Sequence, residues 1–318
     1  MGKKQIKSLD SIRKVKRRVE HKLLQKTGVK RVGVGVKVTD GQPTGEIVIT
    51  AFVVKKRDDI PVKDRIPRQI YGIKTDVIES SEGYVIPQAD ELPECKVHYN
   101  PLIGGACVGP ARRFENNGIM RGTLGAIVID ARNGQPGILS NFHTLAVTND
   151  WPQADKTILQ PPQGTTHIVA HLTQAVLLEN EGVDAAVANI DASVGLAHAI
   201  AEIGPTNGSA SATPNTKVKK RGVATGLTHG IIHHMDLTPG VQVDYTKFGL
   251  GVKTLSNQIA IVPDPEYPNT TFSADGDSGS AIVDDAGRVV GLLVGPDGQF
   301  YYANHIENVL NNLHIKIP

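Results

Sequence analysis

The run Gly276-Asp277-Ser278-Gly279-Ser280 sets a serine in a tight glycine-bounded turn, directly before the apolar stretch Ala281-Ile282-Val283. A serine hydroxyl is inert at its own pKa. It becomes a nucleophile when a base takes its proton, a third group orients that base, and backbone N–H donors receive the oxyanion. Gly276 lets the backbone turn so that its own N–H and that of Ser278 point at one spot, while Gly279 permits close approach behind the nucleophile. The same residue types are favoured in ordinary surface turns, so the motif carries chemistry only with a base and an orienting acid elsewhere.

Both are present. His143 closes the run Gly137-Ile138-Leu139-Ser140-Asn141-Phe142, and Asp184 sits among short residues in Gly182-Val183-Asp184-Ala185-Ala186-Val187. His143 precedes Asp184 by 41 positions and Asp184 precedes Ser278 by 94 (184 − 143 and 278 − 184). Asp191 competes for the orienting role, but its place beyond the apolar run favours solvation, as for most unpaired carboxylates. Cys107 has no glycine turn beside it and is a weaker nucleophile candidate. His233-His234 offers two imidazoles without a second cluster to complete a tetrahedral set, so no metal and no cofactor are expected.

The order His, Asp, Ser with these separations resembles the chymotrypsin-fold (trypsin-like) serine peptidases. Leu139 to Leu145 is similar to their histidine segment, although Phe142 stands where a small residue is usual. Gly182–Val187 resembles the aspartate segment, Arg221 to Gly230 the segment opening the second barrel in bacterial members, and Asp275 to Ser280 the serine loop. Val289 to Gly295 looks like the substrate-binding strand, with a closing helix near His305 to Leu313. The resemblance spans roughly residues 105 to 318 and is strongest to the narrow-leaf-type trypsin-like peptidases of plants and their bacterial relatives.

That likeness implies a mainly β fold: two antiparallel six-stranded β-barrels over 101–203 and 204–318, the second with a C-terminal helix, behind a small α/β N-terminal domain over 1–100. It implies a serine endopeptidase in which His143, Asp184 and Ser278 form the triad and the N–H groups of Gly276 and Ser278 the oxyanion hole. Leu293, Val294 and Gly295 would hold substrate backbone, and Phe272 with Ser273 would border an apolar pocket. Phe272 occupies the place of the aspartate that attracts basic side chains in trypsin, so small or apolar residues are expected before the scissile bond. An internal cation, Lys220 or Arg221, is expected to neutralise Asp277. The contrasting reading is a catalytically silent binding or scaffold protein on the same fold.

Composition agrees with a multi-unit globular β protein. Apolar residues make up 40%, aromatics only 4%, and 33 Gly with 19 Pro punctuate short Val- and Ile-rich runs, the pattern of strands joined by turns. The first 31 residues carry 12 Lys or Arg against Asp10 and Glu20, a net of +10, which leaves −8 for the rest of a chain that totals +2. Leu9, Ile12, Val15, Val19 and Leu23 recur at spacings of three and four, predicting an amphipathic helix whose apolar stripe docks on its own molecule. Binding of nucleic acid or an anionic membrane through residues 1–31 is the less favoured reading, because aromatic interleaving and base-reading motifs are lacking. Val29 to Val38 and Glu46 to Lys56 read as strands around the turn Asp40 to Pro43, and Ile70 to Ser80 as a third. Charges fill the positions where a signal peptide would be apolar, so a cytoplasmic protein is expected, with Cys95 and Cys107 as free thiols. Its partners would be protein or peptide substrates; homo-oligomerisation is left open.

Overall fold

The computed structural model describes all residues except 1–6, 40–41, 58, 81–82, 86–91, 115–119, 152–155 and 163–166. Helix α1, Leu9–Leu24, starts where the Ser8 hydroxyl accepts the Ser11 N–H at 3.3 Å and carries Asp10 in its first turn and Lys22 in its last, each sign placed to suit the helix dipole. Ile12, Lys16, Val19 and Leu23 form its buried stripe. They pack on Val29, Val32, Val34, Ile49, Ala51 and Val53 of the hairpin below. Leu9 and Val15 flank that contact half-buried, and Lys16 follows the stripe inward, its ammonium bonded to Glu20 and to Thr238 Oγ1.

The hairpin strands are Val29–Thr39 and Gln42–Val53, and the expected turn at Asp40-Gly41 lies outside the described residues. Ile73–Glu79 joins Gln42–Val53 in parallel, a pairing that needs the crossover supplied by residues 54–72. On its other side Val29–Thr39 pairs antiparallel with Gly226–Thr238, aligning Gly35 with His234. A Cβ at Gly35 would overlap the His234 ring; glycine is what lets that buried imidazole approach the strand so closely.

Six antiparallel strands form a closed ring: Lys217–Gly222, Ala281–Asp284, Val289–Pro296, Tyr301–His305, Gln258–Pro263 and Gly226–Thr238, the last pairing back to the first. Val218, Ile232, Ile259, Ile261, Phe272, Ile282 and Leu293 fill it. A second antiparallel sheet runs through Ala126–Asp130, Pro136–Ser140, Val183–Ile190, Ile168–Leu178, Thr157–Leu159 and Cys107–Pro110. It rolls back on itself where Leu124 N–H donates to Ala106 O and Gly105 N–H to Leu124 O. Helix α3, Ile306–Leu313, then packs Val309 and Leu313 against Val183 and Val187 of this sheet. The molecule is mainly β, as expected.

The expectation of free thiols does not hold. Cys95 and Cys107 are joined in a disulfide with Cα atoms 5.0 Å apart. Both are buried with Leu92 and Val223 in a small apolar cluster. They stand 12 positions apart in the chain, and tertiary packing brings them together.

Candidate active site

His143 stands in the short helix α2, Phe142–Leu145, immediately beyond the strand Pro136–Ser140. Asp184 lies in the neighbouring strand Val183–Ile190, fully buried. Its Oδ2 is 2.5 Å from His143 Nδ1, and its Oδ1 accepts the His143 backbone N–H at 3.2 Å. Both ring orientation and helix position are thus fixed by one carboxylate. Two amides, Asn141 Nδ2 at 2.7 Å and Asn304 Nδ2 at 3.0 Å, donate to the Asp184 carbonyl and pin the backbone beneath it.

A residue that sequence reasoning did not find completes this group. Tyr245, from the strand Val241–Tyr245, donates its hydroxyl to Asp184 Oδ2 at 2.8 Å. Burial, reinforced by the charge of Asp184, pushes the Tyr245 phenol well above its ordinary pKa, so it stays a donor. In the sequence Tyr245 is only the inward-facing end of an alternating strand; nothing local links it to a residue 61 positions away.

Ser278 lies at the edge of the closed ring. The backbone before it turns through Gly276 at φ +101°, a conformation glycine reaches without strain. The Gly276 carbonyl is held by Thr123 Oγ1 at 3.0 Å, and the Ser278 carbonyl accepts the Thr123 N–H at 2.9 Å. Among the described residues neither the Gly276 nor the Ser278 N–H has an acceptor. The Ser278 hydroxyl donates to Val294 O at 2.9 Å rather than to histidine. His143 Nε2 is buried and has no hydrogen-bond partner among the described residues. His143, Ser278 and Gly276 line one cavity, together with Val85, Arg121 and Gly295. Its free volume is about 10 Å³, room for a single water.

Asp277 faces away from this cavity into the protein. Its Oδ2 is 3.0 Å from Lys220 Nζ, and both side chains are fully buried. Of the two expected cations it is Lys220 that makes the pair. Burial lowers the Lys220 pKa while Asp277 acts to raise it. Asp277 also accepts the N–H groups of Ala224 at 2.8 Å, Thr225 at 3.2 Å and Ala274 at 3.0 Å, tying the serine loop to residues 222–225. Arg221 reaches the other way, to Glu94 at 2.6 Å and the Gly105 carbonyl.

Of the residues read as substrate-binding, Val294 and Gly295 meet the site, through the Ser278 hydroxyl and the cavity wall. Leu293 and Phe272 point into the apolar filling of the ring instead, and Ser273 is buried. Asp191 is partly exposed, with His171 3.5 Å away. His233 and His234 bond to each other at 2.9 Å, and no metal-binding cluster occurs among the described residues. Nor is any described helix long and apolar enough to cross a membrane.

No family model and no curated protein matches the chain. Solved structures similar to it include a glutamic-acid-specific serine protease that uses a histidine triad in substrate binding, at 16% identity and TM-score 0.49, covering 68% of this chain and 100% of that one. Nocardiopsis protease is similar at 17% identity and TM-score 0.48, over 68% and 97% of the two chains. Cellulomonas bogoriensis chymotrypsin is similar at 16% identity and TM-score 0.45, over 69% and 99%. One closed six-stranded ring beside Ser278 and a second rolled antiparallel sheet beside His143 and Asp184 give this chain a chymotrypsin-like fold.

Proposed function

We propose that the protein is a serine endopeptidase that cleaves peptide bonds through an acyl-enzyme. One observation carries this reading: the imidazole of His143 has one nitrogen fixed on a buried carboxylate and presents the other, without a partner among the described residues, in a cavity it shares with Ser278. A buried polar atom without a partner is uncommon in folded proteins and calls for a reason. Proton transfer supplies one.

In this mechanism the Ser278 hydroxyl leaves Val294 O by rotating about its Cα–Cβ bond and turns to His143 Nε2. His143 takes the proton as the oxygen attacks the substrate carbonyl and returns it to the leaving amine. Asp184 holds the productive tautomer and stabilises the imidazolium, while the Gly276 and Ser278 N–H groups receive the oxyanion. Loss of one such donor costs on the order of 3 kcal/mol of transition-state stabilisation in comparable enzymes. The Lys220–Asp277 pair supplies from within the chain the cation that the serine loop needs, so the reading requires no newly released N-terminus to fill that role.

A fluorophosphonate probe tests the reading. Covalent labelling of the native chain that is lost in Ser278→Ala supports it. Failure of the folded protein to label under any condition supports the silent scaffold.

A further inference from the structure

A segment of the chain itself borders the cavity beside Ser278. Tyr84–Val85 lies as a short strand parallel to Val241–Tyr245, pairing Tyr84 with Gln242 and Val85 with Val243. Val85 is buried and forms part of the wall of the cavity that contains His143 and Ser278. Its methyl groups press on Gly295 so closely that a Cβ built there would meet Val85 Cγ1 at 2.8 Å. Gly83, two residues earlier, rests its backbone against Asp297. That part of the turn is rigid, because Asp297 is bonded by Arg31, Tyr302, Gln299 and Phe300.

The same chain meets the other side of the nucleophile at Leu92. A Cβ built on Gly276 would come within 2.5 Å of Leu92 Cδ1, which puts this side chain on the residue whose N–H is assigned to the oxyanion. Three positions on, Cys95 is bonded to Cys107, and Glu94 is held by Arg221 at 2.6 Å and Tyr99 at 2.5 Å. Leu92 is thereby clamped at the oxyanion turn by a covalent bond and a charged hydrogen bond.

We propose that Gly83–Val85 and Leu92–Cys95 are an internal strap that occupies the substrate cleft on both sides of Ser278 and excludes peptide substrates until it is displaced. The proposal rests on the serine-peptidase reading for what the cleft does, but the occupancy is independent of it. A peptide carbonyl that reaches Ser278 with its oxygen toward Gly276 needs the space that Val85 and Leu92 take. The remaining free volume of about 10 Å³ admits a water, and no amino-acid residue. A site open only in a minor population reacts in proportion to that population.

The test uses the full chain with Val85→Ala and Leu92→Ala combined, and Val62→Ala, at an exposed position, as control. Two quantities are read: the rate of fluorophosphonate labelling, and amide hydrogen exchange over residues 83–85 and 293–295. The strap predicts labelling at least about tenfold faster in the double variant than in the native and control proteins, with faster exchange in both segments. Measurable labelling at equal rates in the native and double-variant proteins would overturn it. If neither labels yet exchange rises in the variant, the strap stands and the serine-peptidase reading falls. Should the double variant not fold, the native protein decides: the Val85 amide must exchange as slowly as those of Val241–Tyr245, and open-chain exchange there sinks the proposal.

Discussion

Tyr245 and His143 share one acceptor: the phenol donates to Asp184 Oδ2 at 2.8 Å, and His143 Nδ1 meets the same oxygen at 2.5 Å. The carboxylate is fully buried, so each donor shapes how its charge is presented. A hydrogen bond to a charged group contributes about 1.5–3 kcal/mol. Tyr245→Phe should therefore lower kcat by about tenfold or more with little change in KM, since the lost bond holds the carboxylate and touches no substrate. A merely structural tyrosine would shift the unfolding midpoint and leave kcat alone.

The Lys220–Asp277 pair gives a second expectation. Removing one partner of a buried ion pair strands the other charge, a loss of about 3–5 kcal/mol. Lys220→Met should lower urea-unfolding stability by that order and slow labelling of Ser278, because Asp277 no longer steadies the loop. Lys220→Met with Asp277→Asn should regain most of the stability. A double variant as unstable as the single one would show that packing, rather than charge, is what the pair contributes.

His234 makes stability depend on pH in a stated direction. Burial, with the neighbouring His233 adding to it, holds the His234 imidazole well below its ordinary pKa, and burial also lowers that of His233. The folded protein keeps His234 neutral while the unfolded chain takes up a proton as pH falls through about 6.5. Below that pH the unfolded state binds more protons, and stability drops by up to about 1.4 kcal/mol per pH unit for each such histidine. Urea unfolding at pH 5, 6 and 7 should show this slope, and His234→Leu should flatten it by roughly one proton.

The Cys95–Cys107 bond closes a loop of 12 positions. Closing a loop of that size restricts the unfolded chain by about 3 kcal/mol in the chain-entropy account. Dithiothreitol should reduce unfolding free energy by that order in the native protein and leave Cys95→Ala/Cys107→Ala unaffected. Equal sensitivity of the two proteins to reductant would contradict the pairing.

Much of the architecture is readable from local pattern. The stripe Ile12, Val19 and Leu23 lies on one face of any helix, and strands such as Val29–Thr39 follow from β-branched runs between turns. His143, Asp184 and Ser278 each stand out as candidates from their immediate neighbours, since a glycine-bounded serine turn and a carboxylate among short residues leave marks within a few residues. Phe272 shows the limit. Its position before the serine loop reads as a pocket wall, but its side chain turns into the core of the ring, a direction set by the space available there.

What the linear order fixed by itself was the chemical inventory: which groups can donate, accept or attack, and which segments form helices or strands, because backbone period and turn preference act over a few residues. Only the tertiary structure decided that Lys220 rather than its neighbour meets Asp277, that two cysteines are bonded, and that Tyr245 and Val85 reach the site. Those contacts join residues far apart in the chain. Side-chain volume, burial and the roll of the sheets select them, and these quantities exist only once the chain is folded.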